Sequence, residues 1–134
     1  MLVCGLSFLI GFQAVAEEGT SKLLNFKLET TFVPTPVSVD VLLPPGYEEI
    51  EEPLPLFIWL HGGSSGRGLL ERRMKPYMDK AWASGDLTPC VVVSPVTGSS
   101  YYMDWHDGTN QWDTFISSEL LAYAREHYNV KQDR

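Results

Sequence analysis

Hydrophobic and polar positions divide the chain into segments of distinct period. From Asn25 to Phe32 (NFKLETTF), Phe26, Leu28 and Thr30 fall on one face and Lys27 and Glu29 on the other. That alternation predicts a strand with one wet face. Val37 to Leu43 (VSVDVLL) repeats it, with Val37, Val39 and Val41 opposite Ser38 and Asp40. Pro34 and Pro36 lie between, so the pair reads as an antiparallel hairpin with an irregular connection. Pro44-Pro45-Gly46-Tyr47 stops the second strand. Leu54 to Leu60 (LPLFIWL) is continuously apolar and ends abruptly at His61-Gly62-Gly63. A strand apolar on both faces is covered on both faces, as in a parallel sheet. Cys90 to Val93 looks the same and ends at Ser94-Pro95.

Two helices fit the remaining periodicity. The first starts at Pro76, whose missing N–H costs nothing at a first helical position. Tyr77, Met78, Ala81 and Trp82 supply its apolar face, and Gly85 stops it. The second runs from about Gln111 to Tyr128, with Trp112, Phe115, Ile116, Leu120, Tyr123 and His127 at helical spacing and Asn110 as its cap. The order β-β-β-α-β-α implies an α/β fold, mostly a parallel sheet with a leading antiparallel hairpin. Nothing reads as an internal repeat or a linker.

The first residues differ from the rest. Leu2 to Val15 carries no charge, ends in Ala14-Val15-Ala16 and gives way to Glu17-Glu18. This resembles the apolar core and cleavage site of a secretory signal peptide, without the usual Lys or Arg after Met1. Residues 1–16 are therefore expected to be a signal peptide, the protein secreted or periplasmic, and residues 17–134 the domain. The alternative is a buried N-terminal element. The stretch is short for a stable membrane span of about 20 residues. Cleavage would remove Cys4 and leave Cys90 as a small buried core residue.

Composition narrows the classes. Of 134 residues, 44% are hydrophobic and 20% charged, the balance of an ordinary globular protein. A net charge of -7 argues against nucleic acid as a partner, because phosphate contacts need clustered Lys and Arg. Glu48, Glu49, Glu51 and Glu52 read as a solvated loop. Two cysteines supply neither a disulfide framework nor a four-ligand zinc site.

The chemistry-bearing motif is Trp59-Leu60-His61-Gly62-Gly63-Ser64-Ser65-Gly66. A buried strand runs straight into glycines that let backbone N–H groups approach a ligand. Such donors stabilise the oxyanion of acyl transfer, and an HGG turn in this context is the oxyanion loop of lipases and esterases. The competing readings are a plain tight turn or a phosphate loop. A Walker loop is excluded, since no Gly-Lys-Ser/Thr follows.

Other stretches stand in a telling order. The segment from Val39 to Tyr47 precedes the strand into HGG, then VVVSP, then Ser100-Tyr101-Tyr102-Met103-Asp104-Trp105, then Trp112-Asp113-Thr114-Phe115 and Ser118-Glu119-Leu120. Over roughly residues 24–134 this set resembles the esterase D-like branch of the α/β hydrolases, which includes S-formylglutathione hydrolases, feruloyl esterases and antigen 85-type mycolyltransferases. The resemblance implies a Ser-His-Asp/Glu hydrolase with the Gly63 N–H as an oxyanion donor, Gly62 and Ser64 shaping the loop, and His61, Tyr102, Asp104 and Trp105 near the substrate. It implies no metal or organic cofactor and a small-molecule or carbohydrate-linked ester as the partner. Asp104 and Trp105 could equally brace the following helix.

In α/β hydrolases the nucleophile sits on a G-x-S-x-G elbow, with acid and histidine later in the chain. By the resemblance, all three positions lie beyond Arg134. The chain then reads as the N-terminal part of the fold, truncated before the elbow. It is expected to be inactive, because the triad is missing, and poorly stable alone, because its apolar third strand becomes an edge. Gly62 to Gly66 formally spells the elbow motif, but a helix must follow the serine at once, and Gly66, Arg67 and Gly68 follow Ser64 instead. His106, Asp104 and Asp107 match no metal-ligand spacing. The leading expectation is a fragment of a serine ester hydrolase acting through an acyl-enzyme. The alternatives are an acyltransferase of the same fold, or a non-catalytic domain using Tyr101, Tyr102, Trp105 and Trp112 to bind carbohydrate or protein.

Overall fold

The computed structural model describes residues 19–63 and 66–133. The expected signal peptide and Ser64 lie outside the described residues.

Four strands form one mixed sheet in the order β1-β2-β4-β3. They are β1 (Lys22–Leu28), β2 (Val37–Leu43), β3 (Leu56–Ile58) and β4 (Val91–Val96). β1 and β4 each run antiparallel to β2, while β3 and β4 are parallel. The leading hairpin and the parallel pair are therefore as the pattern predicts.

Helices cover both faces. On one, α1 (Lys75–Ser84) continues a π-helical turn at Leu70–Met74. Leu70 and Met78 pack there on Leu42, Val92 and Cys90, with Met74 and Trp82 at the margin. On the other face a single run begins as α2 (Trp112–Thr114), passes through a π-helical turn at Phe115–Leu120 and ends as α3 (Leu121–His127). Phe115, Leu120 and Ala124 pack there on Val39, Val41, Val91 and Val93. The sheet is thus the middle of three layers. This explains why β2 and β4 are buried at all but one position each and why β4 opens on Val91-Val92-Val93.

The strand and helix limits correct the sequence reading in physical terms. β1 lies three residues earlier than expected and stops at Leu28, because Phe32 N–H turns back to the Thr30 hydroxyl. Asp40 is buried rather than wet, since β2 is covered on both faces, and its carboxylate accepts from the Asn25 amide. β3 is shorter than Leu54 to Leu60, because Pro55 offers no N–H to the ladder. β4 extends through Pro95 to Val96. Ahead of β3, Leu54 instead forms a lone parallel bridge with Val130. β3 is an edge of the described sheet, with Phe57 47% and Leu60 44% exposed. Cys90 is buried with a free thiol, and burial pushes that thiol up from its ordinary value.

Helical structure begins at Leu70, before Pro76. Lys75 N–H reaches back five residues to the Leu70 carbonyl, so a wide turn absorbs the donor that proline lacks. Tyr77 is 74% exposed and not on the buried face, which Leu70, Met74, Met78 and Trp82 occupy at four-residue steps. Gly85 ends α1 in the left-handed conformation, as expected. The second π turn has a similar local cause. The Ser117 and Ser118 hydroxyls donate to the Asp113 and Thr114 carbonyls, in competition with the helical ladder. His127 is exposed rather than core, stacked on Tyr123 with ring centroids 3.9 Å apart.

Asn110 does not cap the second helical run. Asp104 does so from across a small loop: its Oδ1 accepts from Thr114 N–H at 3.1 Å and its Oδ2 from the Thr114 hydroxyl at 2.5 Å. These bonds, the hydroxyl foremost, hold the Asp104 carboxyl below its ordinary value. A depressed carboxylate stabilises the fold above the ordinary carboxylate range and loses that contribution as pH falls through its folded pKa. Asp104→Ala is therefore expected to lower the denaturation midpoint at neutral pH. In acid, the gap to the wild type should close. A gap that persists unchanged at low pH would count against the cap.

Candidate oxyanion site

The parallel strands β3 and β4 end side by side. Ligands of α/β proteins gather at such carboxyl ends. From β3 the chain passes through Trp59, whose N–H still bonds the Val93 carbonyl at 2.9 Å, to His61. From β4 it passes from Val96 to Thr97.

His61 is 3% exposed, and both of its ring nitrogens are engaged. Thr97 N–H donates to Nε2 at 3.2 Å, and the Thr97 hydroxyl lies 3.4 Å from the same atom. An Nε2 that accepts an amide proton leaves the ring proton on Nδ1. Nδ1–H then donates to the Gly62 carbonyl at 2.8 Å. A trans peptide sets its C=O and N–H in opposite directions. With the Gly62 carbonyl drawn to the imidazole, the N–H of Gly63 faces away from it. Gly62 and Gly63 are exposed, a Cβ on either would meet nothing within 4 Å, and Gly63 N–H has no acceptor among the described residues. Among the described residues, the loop therefore presents an outward donor without an acceptor.

Gly66 closes the far side of the imidazole. Its φ is 72°, and a Cβ there would lie 2.1 Å from Nε2. Only glycine allows the loop to fold over this ring.

Tyr102 reaches the same loop from the segment after β4. Its hydroxyl donates to the His61 carbonyl at 2.7 Å, and its ring meets the imidazole edge-on at 5.6 Å. Burial pushes the phenol above its ordinary value, so it stays a donor at neutral pH. Tyr101 and Tyr102 have φ of 54° and 57°. Left-handed backbone at non-glycine residues costs roughly 1–3 kcal/mol each. The Ser100 hydroxyl, buried and 3.1 Å from Tyr102 N–H, helps hold this turn. The turn throws Tyr101 outward, 81% exposed, followed by Met103 at 62% and Trp105 at 50%.

The structure thus gathers His61, Gly62, Gly63 and Tyr102 around one loop. Asp104 is spent on Thr114, which is the bracing alternative raised by the sequence. Trp105 joins the same brace through its N–H, 2.8 Å from the Asn110 carbonyl, and leaves its ring half exposed. Trp112 packs edge-on against Phe115 and is not a free aromatic surface. Ser64 lies outside the described residues. Helical structure starts at Leu70, sooner than expected, and the left-handed Gly66 and Gly68 precede it. Among the described residues no serine hydroxyl bonds a histidine, and no three His, Cys, Asp or Glu side chains gather as a metal site. Thr97 and Gly66 were missed by the sequence reading. The signal for Gly66 was its place in the glycine run five residues after His61. Thr97 acts through its backbone and left no signal in residue type.

Gly66→Ala is expected to displace the imidazole and uncouple it from Thr97. The check is 15N spectroscopy of the His61 ring, where the Nδ1–H signature should be lost or broadened. An unchanged ring signal would overturn the contact.

Comparisons with known proteins follow this geometry. Residues 31–134 match the family model described as "Putative esterase". Among solved structures, a ferulic acid esterase is 26% identical with a TM-score of 0.73, the match covering 84% of this chain and 46% of that one. An S-formylglutathione hydrolase from Agrobacterium tumefaciens is 19% identical with a TM-score of 0.67, over 87% and 47%. A fluorophosphonate-binding serine hydrolase of Staphylococcus aureus is 18% identical with a TM-score of 0.66, over 87% and 45%. No curated protein matches the chain. The chain spans just under half the length of each of these structures, and its architecture is that of a partial α/β-hydrolase fold. With its sheet, its loop and most of its length matched, the chain belongs to this esterase family.

Proposed function

We propose that this chain supplies the oxyanion wall of a serine carboxylic-ester hydrolase that works through an acyl-enzyme. The observation that carries the reading is the outward Gly63 N–H, fixed by His61 at the carboxyl ends of two parallel strands. The likeness to structures titled as esterases and a serine hydrolase supports it.

In this reading a serine oxygen, its proton taken by the general base, attacks the ester carbonyl carbon, and the carbonyl electrons pass to oxygen. Gly63 N–H donates to that oxyanion. The donor is in place before the charge forms, so little reorganisation is required when it does. The intermediate collapses, the alcohol leaves with a proton from the general acid, and water then hydrolyses the acyl-enzyme. The serine, acid and base are supplied by sequence outside these 134 residues. The substrate is a small-molecule or carbohydrate-linked ester. Tyr101 and Trp105, both exposed, favour a second reading in which the same face binds a sugar ring without turnover.

The test is ester hydrolysis by the full-length protein, with and without Gly63→Pro, which removes the donor. Loss of one oxyanion donor costs about 100- to 1,000-fold in kcat. The variant should fall by about that factor, and a fluorophosphonate probe should label the wild type. Undiminished hydrolysis by the variant would sink the oxyanion assignment. Sugar binding with neither hydrolysis nor labelling would favour the second reading.

The protein is further proposed to be secreted or periplasmic, on the uncharged apolar run Leu2 to Val15 and the Ala14-Val15-Ala16 site. Among the described residues no helix is long and apolar enough to cross a membrane. N-terminal sequencing of the mature protein should begin at Glu17; retention of Met1 would refute cleavage.

A further inference from the structure

We infer that Tyr102 is a positioning residue of the oxyanion loop, a latch that holds the His61 peptide, rather than a residue that touches substrate. The inference rests on the esterase reading for its effect on catalysis, and on geometry alone for its effect on the loop.

Three observations converge. The phenol is already committed, since it donates to the His61 carbonyl at 2.7 Å. The imidazole is tied on its other side, where Thr97 N–H meets Nε2. One histidine is therefore held at its backbone by the segment after β4, at its ring by the first residue beyond β4, and in turn holds the Gly62 carbonyl. The third observation is the left-handed backbone of Tyr101 and Tyr102. A strained conformation persists where the surroundings over-determine it. Here the Ser100 hydroxyl and the His61 carbonyl are the two groups that Tyr102 satisfies by adopting it.

The latch has a mechanical consequence. Without the phenol, the His61 carbonyl loses its partner and the turn loses one of the bonds that hold it. The imidazole can then shift off Thr97, and the Gly62 carbonyl is no longer held. The Gly63 donor becomes mobile, which affects the step in which the oxyanion forms more than the binding of ground-state ester.

The test compares the full-length wild type with Tyr102→Phe, which keeps the ring, and with Ser100→Ala, which keeps the phenol but frees the turn. Hydrolysis of 4-nitrophenyl acetate gives kcat and KM. Amide hydrogen exchange is followed at Thr97, against Trp59 as an internal control bonded to β4. For Tyr102→Phe the expected result is a fall in kcat of about tenfold or more, with KM within about twofold. Thr97 exchange should rise by about the same factor while Trp59 is unchanged. Ser100→Ala should move both in the same direction by less. An unchanged kcat, or a loss carried by KM alone, overturns the positioning role. Exchange that rises equally at Thr97 and Trp59 also overturns it, because it reports general loosening. Should the wild type hydrolyse no ester, the esterase reading fails and Thr97 exchange alone decides the latch. Unchanged protection at Thr97 in Tyr102→Phe would then refute it.

Discussion

The loop geometry depends on one neutral imidazole held at both nitrogens. His61 accepts from Thr97 through Nε2 and donates to Gly62 through Nδ1. Each bond requires the other. The Thr97 amide selects the tautomer that can donate to Gly62, and the Gly62 carbonyl keeps the ring in the plane that Thr97 needs. A buried polar ring with either partner missing would carry an unsatisfied group, at a cost of about 1–3 kcal/mol. The orientation of the exposed Gly62–Gly63 peptide is thus set from below, by a side chain in the interior.

That constraint ties the site to the sheet. Thr97 can meet His61 only because β3 and β4 are adjacent, parallel and in a register that pairs Ile58 with Val93. A one-residue slip of either strand would put its side chains on the wrong face and break the contact. The register is in turn protected by burial. Val91 and Val93 face Phe115 and Leu120, while Val92 faces Leu70 and Met78. The apolar packing of both helical layers therefore contributes to the placing of a single N–H bond.

The fold was legible where burial dominates and indistinct where backbone donors decide. β2 falls where its alternation places it, and both helices were visible from their apolar spacing. The limits of β1 and β3 were misread because a Thr30 hydroxyl and a Pro55 without N–H act below the level of hydrophobic pattern. The start of the first helix differs for the same reason. Pro76 signals a first turn, and the π turn that precedes it depends on a five-residue hydrogen bond that no residue type announces. At the site, the glycines identified the loop, and His61 and Tyr102 were named as substrate neighbours. The bonds they make to one another and to the loop depend on which atoms are used. Spacing along the sequence carries no such information.

Asp104 shows how far a residue's type can mislead about its task. A carboxylate in an aromatic loop at the carboxyl end of a parallel strand invites a catalytic or substrate-binding reading. Both of its oxygens are instead taken up by Thr114, at the third N–H of a helical run. Those two donors hold the carboxyl below its ordinary value and tie it to the start of the helical run. The rigidity it gives is still of use to the site. The loop that carries Tyr101 and Tyr102 is anchored at its far end by this cap, and at its near end by Ser100. Both anchors act on a turn whose two left-handed tyrosines would otherwise favour ordinary backbone angles. The helix start, the strained turn and the proposed oxyanion loop are therefore linked through hydrogen bonds of Asp104, Tyr102 and His61 to a peptide that has no side chain of its own.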